Sequence, residues 1–238
     1  MALLALPEDW DRALAVVAHP DDLEFGASSA VARWTGAGKV VEYVLATRGE
    51  AGIDAIAPEQ CRVIRSAEQM ASARVVGVDR VSFLDHPDGT LTYSLELRRD
   101  IARSIRSYRP DILVSINYHA SFGPGSPNHA DHRVLGEALL DAARDAANRW
   151  VFPELAAEGL EPWHGLRFAA FNASPEADHF VDVTDYLDRG IASLAEHRVY
   201  LENLQGEFDL VKFLRSNAEQ AGLLAGVPLA VTFEVVRF

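Results

Sequence analysis

The sequence predicts an α/β fold, an open and mostly parallel sheet with helices on both faces and a C-terminal α/β elaboration. Two observations predict it. Apolar runs of strand length alternate with longer segments of helical periodicity, the pattern of repeated βαβ units. The 238 residues, 49% of them apolar, suffice for one sizeable core.

The elements follow in order. "RALAVVAH" reads as the first strand, and "EFGASSAVARWTGAGK" as a helix of small and apolar residues running into glycine-rich turn material. "VVEYVLATRG" is the second strand, "APEQCRVIRSAEQMASARVVG" a helix with a glycine stop, and "RVSFLD" the third strand. "LTYSLELRRDIARSIRSYRP" is a helix stopped by Pro110, "DILVSIN" the fourth strand, and "DHRVLGEALLDAARDAANRW" a further helix. Beyond Trp150 the pattern loosens. "LRFAAFN" and "HFVDV" read as short strands, "TDYLDRGIASLAEHRVYLENL" as one helix capped by Thr184 or Asp185, and "VPLAVTFEVVRF" as a closing strand. No repeat or linker divides the chain. It is read as a single domain over 1–238, with a motif-bearing core at about 13–150 and the elaboration at 151–238.

Composition excludes several classes of function. A net charge of −13, with no basic run, is a poor match for nucleic acid or anionic lipid. No apolar run approaches the ~20 residues that span a bilayer, so no stable membrane anchor is expected. The opening "MALLALPEDWDRA" lacks the basic region and cleavage site of a signal peptide. Cys61 is the only cysteine, which rules out an internal disulfide and cysteine-ligated zinc. It reads as a buried or half-buried helical thiol in a cytoplasmic protein. The ending "TFEVVRF" reads as an edge strand open to pairing in a homo-oligomer.

Ligands of open α/β sheets bind outside the carboxyl ends of the strands. Here that edge carries His19 to Glu24, Arg48 to Asp54, Asp85 to Asp88 and Tyr118 to His132. In "VVAHPDDLEFG", Asp21 and Glu24 have capping-box spacing, which does not account for His19; taken alone, the motif favours a histidine that closes a buried strand by bonding a backbone carbonyl. A metal reading gives it one: His19 and Asp22, three residues apart across a turn, can aim an imidazole nitrogen and a carboxylate oxygen at one point. A third ligand must come from elsewhere. "SPNHADHRV" can supply it through His129 or His132, which lie at i and i+3 where a helix begins, with Asp131 between them. The competing reading makes both histidines exposed cap residues.

"AHPDDLEFG", "TRGEAG", "DHPDGTL" and "NHADH", in that order over about Ala13 to Leu140, resemble the LmbE/PIG-L family of metal-dependent N-acetylglucosaminyl deacetylases. The resemblance implies a Rossmann-like fold and one zinc ion per chain, with Fe2+ or Co2+ able to use the same ligands. It implies His19, Asp22 and His132 as metal ligands and Asp21 as general base. It also implies that His129 assists the carbonyl oxygen or the leaving amine, that Asp131 orients His129, and that Arg48 and Asp88 contact substrate. The implied reaction removes an N-acetyl group from a small amino-sugar or glycoside substrate by metal-activated water. The alternatives are an amidase of the same fold acting on a larger amide such as a thiol conjugate, and a non-catalytic Rossmann-like binding protein. A dinucleotide site would need G-x-G-x-x-G after the first strand, where this chain has "HPDDLEFG".

Two positions depart from the family pattern. Ala130 stands where proline is usual, and Pro127 where some members carry an oxyanion-stabilising tyrosine; Tyr118, earlier in the same loop, is the candidate substitute. "NYHASFGPGSPN" is expected to form part of the substrate wall. Phe83, Trp34 and Trp150 fit core positions; Trp163 could cover the cleft, although nothing in the sequence requires it. His164, His179 and His197 read as structural or exposed.

Overall fold

A computed structural model describes residues 2–204 and 206–238. The strands are β1 (Leu4–Ala5), β2 (Arg12–Val17), β3 (Val40–Leu45), β4 (Val81–Phe83), β5 (Ile112–Ile116), β6 (Ser121–Gly123), β7 (Ser126–Pro127), β8 (Phe168–Asn172), β9 (His179–Asp182) and β10 (Ala230–Arg237). The helices are α1 (Ser28–Gly36), α2 (Pro58–Val75), α3 (Leu95–Tyr108), α4 (Ala130–Ala147), α5 (Pro153–Ala157), α6 (Leu187–Leu194), α7 (Arg198–Glu202) and α8 (Leu210–Ala225).

Eight strands form one sheet in the order β1-β9-β10-β8-β5-β2-β3-β4, and β6 and β7 form a separate hairpin. All pairs in the large sheet are parallel except those of β10, which runs antiparallel to β8 and β9. β10 therefore lies between β9 and β8 in the sheet order, and not at the edge where the sequence reading put it. Ala230–Phe233 pair with β9 and Phe233–Arg237 pair with β8.

The central strand shows why the sheet is covered on both faces. In β2, Ala13, Ala15 and Val17 pack into a core with α1 residues such as Val31 and Trp34. Leu14 and Val16 pack on the other face with α3 and α4 residues such as Leu97, Ile105 and Leu139. Side chains alternate across a strand, so a continuous apolar run buries both faces. α3 is fixed at both ends. The Ser94 hydroxyl accepts from the Leu97 amide at its start, and Arg109 in the left-handed conformation ends it before Pro110.

The C-terminal elaboration departs most from expectation. The single helix predicted over 184–204 is two, α6 and α7, with Ala195–His197 between them. At the break the His197 backbone leaves helical geometry (φ −79°, ψ 53°), and the residue is fully buried. Neither Thr184 nor Asp185 caps α6; Thr184 bonds Asp182 instead, and the residue before the helix is Tyr186. α8 was not foreseen; the Asp209 side chain caps it and Gly226 ends it at φ 76°. Trp34 is buried, but Trp150, expected in the core, is 82% exposed. Phe83 is half-buried against the core.

Candidate metal centre and its cavity

β2 ends at Val17, and the segment to Ala27 crosses the carboxyl edge of the sheet as a series of turns before α1 begins. The capping box expected of Asp21 and Glu24 is absent, since α1 starts after Ala27 with no side-chain cap. The side chains serve the site instead. Asp22 Oδ2 accepts the amides of Ala18 and His19 at 3.0 and 2.9 Å, which leaves Oδ1 facing outward. Across the cleft, the start of α4 presents His129 and His132. His132 Nδ1 lies 2.9 Å from Asn128 Oδ1, so the proton sits on Nδ1 and the Nε2 lone pair is free. His19 Nε2 lies 3.3 Å from Asp131 Oδ2 and 3.1 Å from Asp88 Oδ1, which leaves Nδ1 free in the same way.

The three free atoms meet. His132 Nε2 is 3.0 Å from Asp22 Oδ1 and 3.2 Å from His19 Nδ1, and His19 Nδ1 is 3.6 Å from Asp22 Oδ1. A tetrahedral ion bound at ~2.0–2.1 Å separates neighbouring ligand atoms by about 3.3 Å. Three acceptors converging at this spacing, their other faces already bonded, fit a divalent cation. Burial works against a charged His19. The Asp22 charge and hydrogen bonds to Asp131, Asp22 and Asp88 outweigh it and raise the His19 pKa well above its ordinary value. Burial pulls Asp22 upward, yet His132 and His19 hold it far below the usual carboxylate range. The site is built to keep positive charge at this point.

Asp21 sits beside it in a strained backbone, with φ 84°. α2 holds it there: the Asp21 amide donates to Gln69 Oε1 at 2.9 Å, and Arg65 donates to the Pro20 carbonyl at 2.6 Å. Gln69 in turn donates to the buried Glu24 at 2.9 Å. Arg65 also lies 3.0 Å from Asp21 Oδ2 and over the Tyr200 ring. Burial is the largest influence on Asp21 and, against the pull of Arg65, raises its pKa to about 7.

The remaining expected residues are placed unevenly. His129 lines the cavity, edge-on to His19. Its Nδ1 accepts the Asp131 amide at 3.2 Å, so the neutral ring carries its proton on Nε2. Burial and the charge of His19 lower its pKa. The Asp131 carboxylate bonds His19 and the amides of Gly89 and Leu91, and reaches His129 only through its own backbone amide. Asp88 lines the cavity. Arg48 does not; it pairs with Asp85 and stacks on Phe83. Tyr118 points its hydroxyl at Glu234 and not into the cavity, and His119 also bonds Glu234. Trp163 bonds the Pro110 carbonyl, away from the cleft. Phe122 and Ser126 of the β6–β7 hairpin do line the cavity, as expected for that loop. Arg65, Gln69 and Tyr200 escaped sequence reading. They approach from α2 and α7, and no local pattern links them to "HPDD".

Fold and site together define an α/β protein with a cluster of His and Asp side chains that could hold a cation, at the carboxyl edge of a mostly parallel sheet. The chain belongs to the PIG-L family, described as GlcNAc-PI de-N-acetylase, whose model matches residues 14–143. It is an enzyme of the N-deacetylase class of hydrolases. It is 29% identical over 192 residues to a diacetylchitobiose deacetylase of Thermococcus kodakarensis, covering 79% of this chain and 70% of that protein. It is 29% identical over 187 residues to a 1D-myo-inositol 2-acetamido-2-deoxy-alpha-D-glucopyranoside deacetylase of Kineococcus radiotolerans, covering 64% of this chain and 49% of that one. Among solved structures, the N,N'-diacetylchitobiose deacetylase of Pyrococcus horikoshii superposes with a TM-score of 0.85 at 25% identity, over 96% of this chain and 85% of that one.

Proposed function

We propose that the protein hydrolyses the N-acetyl amide of a small amino-sugar-containing substrate. His19, Asp22 and His132 would hold a divalent cation, with zinc the expected occupant. The observation that carries this reading is the convergence of three free lone pairs at 3.0, 3.2 and 3.6 Å. A divalent cation there supplies Lewis acidity and lowers the pKa of water toward ~7.

The chain's own groups do the rest. Asp21, held by Arg65 and Gln69 beside the three ligand atoms, accepts the proton of the attacking water and returns it to the departing amine. Arg65 and Gln69 fix its direction. His129 need not be charged to help. Its Nε2–H donates to the amide oxygen as negative charge builds there. Asp131 and Asp88 hold the His19 ring in the tautomer that leaves Nδ1 free. Asp88 is thus assigned to His19 rather than to substrate, and Arg48 to the support of the neighbouring loop.

Acetate release from N-acetylglucosamine and N,N'-diacetylchitobiose tests this reading, with wild type compared to Asp21→Asn. The variant should lose 10²–10⁴-fold in turnover, a general base's typical share, and keep its metal. Turnover close to wild type would remove Asp21 from the mechanism. Release of a larger acid in place of acetate, from an acyl-varied series, would favour the amidase alternative.

A further inference from the structure

The cavity is larger than the reaction needs. Its volume is about 1060 Å³, at the top of the ~300–1,000 Å³ typical of clefts for drug-sized ligands and well beyond one sugar ring. One end is the cation site. Another wall is α8, whose Phe213, Leu214, Ala218, Ala221 and Leu224 line the same cavity at helical spacing, with the side-chain amides of Asn217 and Gln220 among them. Leu187 of α6 extends this apolar surface. Among the described residues, Arg65 is the only lysine or arginine in the cavity lining, and it is engaged with Pro20 and Asp21. No free cation is available there for a phosphate, and Asp21, Asp22 and Asp88 would repel one.

We infer that the α8 wall is a subsite for an uncharged apolar aglycone, alkyl or aryl, carried by the amino sugar. This rests on the deacetylase reading. If the acyl group lost is acetyl, the apolar part of the substrate must lie on the amine side of the scissile bond.

The test compares methyl and hexyl glycosides of N-acetylglucosamine as substrates, and the corresponding glucosamine glycosides as ligands by titration calorimetry. The hexyl substrate should have a KM at least tenfold below the methyl one, and the hexyl amine should bind at least tenfold tighter, as burial of a few methylenes provides. Leu224→Asp, at a position 72% exposed and so tolerant of the change, should collapse both ratios to below about threefold. Leu223→Asp, one residue away and outside the cavity lining, should leave them intact. Equal KM and equal affinity for the two glycosides would overturn the subsite. So would a gain seen only on lengthening the N-acyl chain, or a gain seen with a 1-phosphate. If no substrate releases acetate, the deacetylase reading falls, and calorimetry on the two amines still decides the subsite.

Discussion

At the scale of single residues, each candidate metal ligand is held from behind. Asp131 is fully buried and gives one oxygen to the His19 ring while both accept backbone amides. Replacing it with asparagine keeps the shape but removes the charge that orients the imidazole. Asp131→Asn should weaken metal affinity 10–100-fold, the usual cost of losing such a partner, measurable by competition with a chelating dye. Unchanged affinity would return Asp131 to a purely structural role. The residues legible in the sequence were those whose chemistry is local. His19 and Asp22 share one turn, and His129, Asp131 and His132 share the first turn of α4. Arg65, Gln69 and Tyr200 were not legible, because Asp21 receives them from elements up to 179 positions away and an isolated Gln or Arg in a helix carries no signal. The direction in which the Asp131 carboxylate points was hidden for a related reason. It depends on where the Gly89–Leu91 backbone lies.

At the scale of elements, the turn from β2 into α1 is possible only because the chain passes very close to β8. A Cβ on Gly26 would lie 1.9 Å from Asn172 Oδ1. Asn172 is itself held by its donation to the Thr232 carbonyl of β10. Gly26→Ala should therefore cost about 1–3 kcal/mol, the usual penalty of overpacking, read as a lowered urea midpoint with an unchanged slope. A midpoint equal to wild type would mean that Asn172 moves aside freely. The parallel core was legible because strands buried on both faces write continuous apolar runs. The C-terminal elements were less so. α8 mixes an apolar cavity face with the exposed Leu223 and with glycine at 222, which blurs its period. The break between α6 and α7 follows from the burial of His197, a tertiary event without a local marker. β10 reads as a strand, but its place inside the sheet depends on topology, which its own residues do not state.

At the scale of the whole molecule, two of the buried ionisable groups, His197 and Glu24, show opposite behaviour. Burial first, and then the charge of Arg65, lowers the His197 pKa from 6.5 to about 3. The unfolded chain binds a proton here that the fold refuses. The stability tied to neutral His197 is thus full above 6.5 and lost as pH falls toward 3. Burial raises Glu24 from 4.5 to about 7, so its contribution is full below 4.5 and lost as pH rises through 7. Between 4.5 and 6.5 the two act in opposite directions, and they are neighbours, with His197 Nε2 3.9 Å from Glu24 Oε2. His197→Leu removes one of them. Relative to wild type, its unfolding free energy should rise by about 1 kcal/mol for each pH unit below 6.5, measured by urea titration at several pH values. A difference independent of pH would show that His197 is not held neutral by the fold.

The central claim is that His19, Asp22 and His132 form a divalent-cation site in a hydrolase of this family. Elemental mass spectrometry of wild type and Asp22→Ala, each loaded with zinc and desalted, tests it most directly. The expected result is roughly one ion per wild-type chain, as a three-ligand catalytic site retains, and loss of that ion in a variant with unchanged circular dichroism. Well-folded wild-type protein that keeps no metal, or a variant that keeps as much as wild type, would contradict the account.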